Sequence, residues 1–215
     1  MTELELRINK VGGTIPESIS AMTDLTLLDL EMNNLVGPVV PDFMFSLGST
    51  LTSYRVSFNN LTGVIPETIG DKLPNLQHFW FYNNERVVGG LPDSIGGLTK
   101  LQSFIAFNTG ITGTLPTTIG NMASLRSLYL SDTKVSGAIP DELFEASSLT
   151  EIKLNSLNME GTISSRIGQL SGLTDMWLSN NTFAGTLPSE LYQLANMRKL
   201  FHVKIIFTAS PTNFT

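Results

Sequence analysis

The stretch LTDMWLSNNTFAGTLP (173–188) contains the two spacings that decide the fold. Its first half follows the pattern L-x-x-L-x-L-x-x-N, with methionine in the second apolar place and Asn181 at the end. Its second half follows the pattern x-L-x-G-x-I-P, with other apolar residues in two places, and ends at Pro188. Both patterns recur along the chain every 24 to 26 residues. Self-similarity at a fixed period predicts a chain built from stacked repeats.

These repeats predict one elongated domain rather than several globular ones. A single repeat cannot enclose its own apolar face, so neighbouring repeats have to stack and share a core. We therefore predict a continuous solenoid over 1–196, followed by a degenerate ninth repeat and C-terminal tail at 197–215. The eight predicted repeats are 1–24, 25–50, 51–75, 76–100, 101–124, 125–148, 149–172 and 173–196.

The second block of each repeat carries a specific resemblance. Its glycine occurs in all eight repeats and its proline in seven. In this block the chain resembles the plant-specific type of leucine-rich repeat, found in receptor-like kinase and receptor-like protein ectodomains and in polygalacturonase-inhibiting proteins. The resemblance covers 1–196 and implies an α/β solenoid, a right-handed leucine-rich repeat superhelix that is mostly β and loop. It implies a parallel β-sheet on the concave face and short 3-10 or helical turns on the convex face.

Side chains alternate between two faces in a short strand. In the segment LLDLEM, Leu28 and Leu30 therefore point into the core, whereas the two acidic residues between and after them point outward. We expect the acidic residues of the first two repeats to form a solvated face. This acidic group comprises Glu3, Glu5, Asp29 and Glu31.

The ninth position of the first pattern lies where the chain turns inward and backbone groups need partners. A buried amide can both donate and accept the required hydrogen bonds. Thr109 and Thr133 can do part of this work, but Leu157 cannot, which predicts a weak point in the seventh repeat. Asparagine fills the position in the other five repeats, as Asn9, Asn33, Asn59, Asn84 and Asn181.

Composition narrows the classes of function. The net charge is −6 and no cluster of Lys and Arg appears, which argues against nucleic acid as a partner. No run of about 18 apolar residues occurs, so we predict no membrane insertion within this chain. The charged start MTELELRINK does not resemble a signal peptide. The absence of cysteine removes the disulfide-linked caps that many extracellular members of the family carry, and leaves the compartment open.

The sequence offers no constellation that favours catalysis. The two histidines, His78 and His202, lie about five coils apart in an unbroken solenoid. The chain contains no thiol for nucleophilic or zinc chemistry, and its carboxylates are dispersed. Glycine-rich segments lack the lysine and the spacing that phosphate binding requires. We therefore predict no enzyme activity, no metal site and no cofactor.

The segment LQHFWFYNN (76–84) is the strongest candidate for a binding surface. Alternation places Phe79 and Phe81 inside and turns the histidine, tryptophan and tyrosine outward. Aromatic residues on neighbouring repeats would extend this patch, although aromatics can also simply stiffen a sheet by pairing across strands. Trp177, close to Lys153 and Phe201, is a second candidate contact. The predicted ligand-binding residues are Phe58, His78, Trp80, Tyr82, Ile105, Phe107, Tyr129 and Trp177.

Exposed tryptophan and tyrosine are enriched where proteins bind one another. We therefore predict a recognition module on the concave face for a protein or peptide ligand, with a glycan as a further option. The resemblance implies a receptor-like or secreted protein, extracellular or in the ectodomain of a membrane protein. An intracellular, cytoplasmic scaffold, or a regulatory region of a larger enzyme such as a kinase, is the alternative.

Two further features bear on the context of the chain. N-x-[ST] sequons predict glycosylation at Asn60 and Asn180, and a third sequon is present at Asn213. Terminal coils of a solenoid normally need capping units. The first apolar position of the pattern is Met1 and the last repeat is degenerate, so we expect a fragment of a longer protein or an imperfect gene model.

Overall fold

The computed structural model describes residues 1–201, and the side chains of 1–200. Most of the predicted degenerate repeat and tail, with His202 and the Asn213 sequon, lies outside the described residues, as does the side chain of Phe201.

A parallel sheet of nine short strands runs the length of the described chain. Each strand pairs with the strand one repeat before it and one repeat after it, so the order in the sheet follows the order in sequence. The strands are β1 (Glu3–Glu5), β3 (Leu27–Asp29), β5 (Ser53–Arg55), β7 (His78–Trp80), β9 (Ser103–Ile105), β11 (Ser127–Tyr129), β13 (Glu151–Lys153), β15 (Asp175–Trp177) and β17 (Lys199–Phe201).

A second parallel sheet is formed by the block that contains the repeated glycine. Each of the eight glycines has φ between 75° and 91°. A residue without Cβ adopts this conformation at little cost, which accounts for the glycine in all eight repeats. The strands are β2 (Gly12–Thr14), β4 (Asn34–Pro38), β6 (Asn60–Gly63), β8 (Asn84–Gly89), β10 (Thr109–Gly113), β12 (Lys134–Gly137), β14 (Asn158–Gly161) and β16 (Thr182–Phe183).

Short helical turns complete each coil. One is the α-helix Ile69–Lys72, and the others described are 3-10 helices. Proline precedes the first residue of six of these, where its missing N–H costs little. Ser164 replaces proline before the remaining 3-10 helix, Ser165–Gln169. Its hydroxyl accepts a hydrogen bond from the backbone N–H of Arg166 (3.3 Å). The 3-10 helices are Glu17–Ala21, Asp42–Leu47, Asp93–Gly97, Thr117–Asn121, Asp141–Glu145, Ser165–Gln169 and Ser189–Gln193.

The core is one continuous apolar column between the two sheets and the helical turns. Leu28, Phe79, Phe81 and Leu128 are fully buried, as alternation predicts for these strand positions. The predicted fold class, a mostly β and loop solenoid with parallel strands and short helical turns, is confirmed.

The asparagine column satisfies backbone groups of adjacent coils, as the sequence predicts. Asn84 accepts a hydrogen bond from the backbone N–H of Leu61 (3.0 Å) and donates to the carbonyls of Val56 (3.0 Å) and Phe81 (2.9 Å). Thr109 donates to the carbonyl of Ala106 (2.8 Å), which is the partial substitute expected of a hydroxyl.

Candidate recognition surface

The outward-facing residues of the nine-stranded sheet lie in rows that cross the coils. The strand register places Arg55, Trp80, Ile105, Tyr129, Lys153 and Trp177 next to one another, in that order. Neighbouring strands are about 4.8 Å apart, so adjacent side chains of the row are within contact distance. All six are partly exposed, which makes this row the central line of a candidate recognition surface.

A second row, which we call the aromatic ladder, comprises Phe58, Tyr82 and Phe107. The rings of Tyr82 and Phe107 are stacked, with centroids 4.4 Å apart and an interplanar angle of 18°. Phe58 meets Tyr82 edge-on at 5.2 Å. Phe58 is 45% exposed, whereas the other two rings are partly buried against their neighbours. The ladder therefore presents a pre-arranged apolar strip across three coils.

Trp80 is held in place by contacts on three sides. Its indole N–H donates a hydrogen bond to the hydroxyl of Ser103 (2.8 Å). The guanidinium of Arg55 lies over the ring, 4.3 Å from its centroid, and His78 meets it edge-on at 5.9 Å. The indole remains partly exposed. Its orientation is therefore fixed while one part of the ring stays open to a ligand.

Tyr129 and Trp177 are linked through a lysine. The ammonium of Lys153 lies 3.9 Å from the centroid of the Tyr129 ring and 5.2 Å from that of Trp177. The hydroxyl of Tyr129 donates to a carboxylate oxygen of Glu151, and burial and this carboxylate raise the pKa of Tyr129. Ile105 separates this group from Trp80 in the row. The structure thus places most of the predicted residues on one face, either in the central row or in the aromatic ladder beside it.

The sequence analysis placed Lys153 near Trp177, as the structure does, but it did not place Arg55 over Trp80 or Lys153 over Tyr129. Arg55 and Lys153 contact rings that come from repeats about 25 residues away in sequence. The signal for them was present, since reading the fifth position of each repeat across the chain gives this row directly.

The acidic group is only partly solvated, contrary to expectation. Glu3 and Glu5 are exposed, but Asp29 is 1% and Glu31 is 7% exposed. The backbone N–H of Glu31 donates to Asp29 (3.1 Å), and Asp29 forms a distant ion pair with Arg55 (3.9 Å). The expectation of a solvated face was wrong for these two residues because side chains of the following coils contact them, Arg55 at Asp29 and Ser57 and Tyr82 at Glu31.

His78 makes a testable contribution to the pH dependence of stability. Burial, followed by the positive charge of Arg55, lowers the pKa of His78 below its ordinary value of 6.5. Between the lowered pKa of the folded chain and the ordinary pKa of the unfolded chain, the unfolded chain binds more protons. The free energy of unfolding therefore falls as the pH drops below 6.5. We expect wild type to lose more stability than His78→Gln between pH 7.5 and pH 5.0. Urea denaturation at both pH values measures it, and a difference that does not change with pH would contradict the prediction.

Comparison with known proteins identifies the architecture. The Leucine Rich Repeat family model matches residues 124–145 and 172–194. The crystal structure of a TDR receptor superposes with a TM-score of 0.90 at 30% identity, covering 96% of this chain and 35% of that one. The chain is built from leucine-rich repeats. These repeats are similar to those of plant receptors, as the G-x-I-P block indicates.

Other relatives of this leucine-rich repeat chain are plant receptors. The tomato (Solanum lycopersicum) receptor-like protein EIX2 is 30% identical over 113 residues, which are 51% of this chain and 11% of the relative. The plant peptide hormone receptor RGFR1, in complex with RGF2, superposes with a TM-score of 0.65 at 27% identity, over 96% of this chain and 40% of that one. The leucine-rich repeat chain therefore spans about a tenth of the tomato relative and about a third of the TDR receptor structure.

The predicted glycosylation sites have accessible positions in the leucine-rich repeat fold. Asn60 opens β6 and is exposed, and Asn180 is exposed on the turn after β15. Across residues 1–201, no helix is long and apolar enough to cross a membrane. The same residues contain no group of three or more side chains suited to hold a metal ion.

Proposed function

We propose that this chain is a peptide-binding recognition module of a receptor-like protein. The outward face of the nine-stranded sheet is the binding surface, centred on Trp80, Tyr82, Phe107 and Tyr129. The observation that carries this proposal is the unbroken series of partly exposed rings across coils three to six. We infer that the module comprises the eight repeats of 1–196.

The fixed positions of these rings favour binding. A side chain that is already immobilised loses little further conformational entropy when a ligand arrives. The hydrogen bond of Trp80 to Ser103 and the stacking of Tyr82 on Phe107 provide this pre-organisation. Tryptophan and tyrosine are enriched among the residues that contribute most to binding. An extended ligand lying along the rows would meet a new ring at each coil.

Polar groups beside the rings suit a peptide backbone. Asn83 accepts a hydrogen bond from Asn108 (2.6 Å) on the edge of the aromatic ladder, and both side chains are partly exposed. Amide side chains both donate and accept, as peptide groups require. The combination of an apolar strip with amides along its edge favours a peptide ligand.

The known receptors support this function and a location outside the cell. RGFR1 is a plant peptide hormone receptor in complex with RGF2, and its solenoid superposes on nearly the whole of this chain. We extend this type of ligand to the present chain. We likewise infer an extracellular location, with glycosylation at Asn60 and Asn180, and a binding rather than a catalytic role.

The double variant Trp80→Ala, Tyr82→Ala tests the proposed function. We would select a displayed library of random octapeptides on the wild-type chain and measure the affinity of the most enriched peptides by fluorescence anisotropy. Each ring is expected to contribute about 2 kcal/mol, so the double variant should bind about 1,000-fold more weakly. Tyr192→Ala is the control, because that tyrosine is 78% exposed on a helical turn away from the sheet. Unchanged affinity in a folded double variant would refute the proposal.

A further inference from the structure

An exposed aromatic ring lies two residues before one of the predicted glycosylation sites. In the segment FNNLT (58–62), Asn60 and Thr62 form the sequon and Phe58 precedes it. Phe58 is 45% exposed, and Asn60 is exposed too. Tyr82 meets the Phe58 ring edge-on at 5.2 Å, on the side of the next coil. A large part of the ring therefore faces solvent close to the place where a glycan would be attached.

Phe58 and Asn60 point away from the core on the same corner of the coil. Asn59, which lies between them, points inward, and its amide donates to three backbone carbonyls at 3.0–3.2 Å. Leu61, which follows them, is fully buried. Outward and inward side chains thus alternate over 58–61. Two residues of chain span at most about 7 Å, so Phe58 is within reach of the first sugar on Asn60.

The preceding coil has the same turn without the ring or the sequon. Met32 takes the place of Phe58, with φ of 56° compared with 52°. Asn34 takes the place of Asn60, is exposed, and opens β4 as Asn60 opens β6. Two residues further on, Val36 stands where a sequon needs serine or threonine. The second coil therefore provides a matched comparison for the third.

An aromatic ring is a favourable surface for the first sugar of an N-glycan, which is N-acetylglucosamine. One face of this pyranose consists mainly of C–H bonds, whose hydrogens carry partial positive charge. The face of an aromatic ring carries partial negative charge. Stacking the two also removes apolar surface from water. Because the sugar is attached to the same turn as the ring, its effective concentration at the ring is high.

The second sequon within the described residues has different surroundings. Leu178, two residues before Asn180, is 1% exposed and belongs to the core. Trp177 is one residue further back, and the ammonium of Lys153 lies 5.2 Å from the centroid of its ring. Among the sequons that the structure describes, Asn60 is therefore the one that follows an exposed ring at a spacing of two residues.

We propose that the first sugar of an N-glycan on Asn60 packs on the ring of Phe58 and stabilises the third coil. This inference rests on the glycosylation at Asn60 inferred above, and it gives Phe58 a role as a platform for the sugar. The glycan then covers the ring that begins the aromatic ladder. A peptide ligand is left with Tyr82 and Phe107, and its path along the ladder ends at the third coil.

The test compares glycosylated and glycan-free forms of the full chain. The chain is secreted from a eukaryotic host behind a cleavable signal peptide, with Asn180→Gln and Asn213→Gln leaving Asn60 as the only sequon. Mass spectrometry measures the occupancy of Asn60, and an endoglycosidase then trims the glycan to its first sugar. Compared with the Asn60→Gln chain, that single sugar should raise the melting temperature by about 2–4 °C.

Substitutions of Phe58 identify the source of this gain. Phe58→Tyr keeps an aromatic face and should keep the gain. Phe58→Leu keeps an apolar side chain without that face and should lose most of the gain. Each variant is compared with its own Asn60→Gln form, so that the effect of the substitution on the bare chain cancels.

The second coil provides a control in which the arrangement is built anew. Val36→Thr creates a sequon at Asn34, and a hydroxyl is tolerated there because Val36 is 39% exposed. In the Asn60→Gln chain, a sugar at Asn34 beside Met32 should give little gain in melting temperature. Adding Met32→Phe should produce a gain of about 2–4 °C.

The outcomes separate this inference from the proposed function. A gain that requires an aromatic residue at position 58, and that reappears with Met32→Phe, supports the platform. An occupied Asn60 with the same gain in wild type and Phe58→Leu, or with no gain in either, overturns it and leaves the inferred glycosylation standing. An empty Asn60 overturns both the platform and glycosylation at this site. Peptide binding is judged separately, through Trp80 and Tyr82.

Discussion

Replacing Phe79 by alanine is expected to destabilise the solenoid by about 3–5 kcal/mol. The ring is fully buried and contacts Tyr54 at 5.8 Å, Phe81 at 4.6 Å and Phe104 at 5.8 Å between centroids. Its partners belong to its own coil and to the coils on both sides. Because each coil is stabilised only by its neighbours, a cavity at this point weakens two interfaces at once.

The matched control is Phe58→Ala, one coil away. Phe58 is 45% exposed and occupies a strained turn, so its loss should cost about 1 kcal/mol or less. Urea denaturation followed by circular dichroism measures both variants, with hydrogen exchange to show which coils open, because repeat arrays can unfold in parts. A cost for Phe79→Ala that does not exceed the cost for Phe58→Ala would contradict this description of the core.

The sequence predicts the fold well because the same two residue spacings recur from coil to coil. A period-two alternation decides the face of every strand residue, and the structure buries Phe79 and Phe81 while leaving Trp80 and Tyr82 partly exposed. The prolines and glycines mark turns whose backbone geometry depends on local chemistry alone. These features require no knowledge of contacts between distant residues.

The details of the recognition surface depend on side chains from different coils, and alternation within one strand cannot reveal them. It does not show that Arg55 lies over Trp80, or that Lys153 lies between two rings. It gives Asp29 and Glu31 an outward direction, but their exposure depends on the size of residues one and two coils away. The left-handed turn of each coil could not be predicted for a similar reason, since it follows from hydrogen bonds between coils.

The second large effect is expected at the asparagine column. Asn84 is fully buried, and its amide bonds four backbone groups, those of Val56, Leu61, Phe81 and, at 3.4 Å, Tyr82. Replacing it by alanine leaves these groups without partners, at a cost of about 1–3 kcal/mol for each unsatisfied group. Neighbouring costs are not additive, so we expect a total loss of about 3–5 kcal/mol in the free energy of unfolding.

Two variants separate lost hydrogen bonds from lost volume. Asn9→Ala, in the same column, removes an exposed amide that donates only to the carbonyls of Leu6 and Arg7 in its own turn, and should cost less than about 1 kcal/mol. Asn84→Thr should fall between wild type and alanine, because Thr109 keeps one bond of the same kind in the next coil. Urea midpoints for the three variants measure this order. Equal losses for Asn84→Ala and Asn84→Thr would show that side-chain packing, rather than hydrogen bonds to the backbone, stabilises this position. The seventh coil, which has Leu157 there, would then be expected to be as stable as the others.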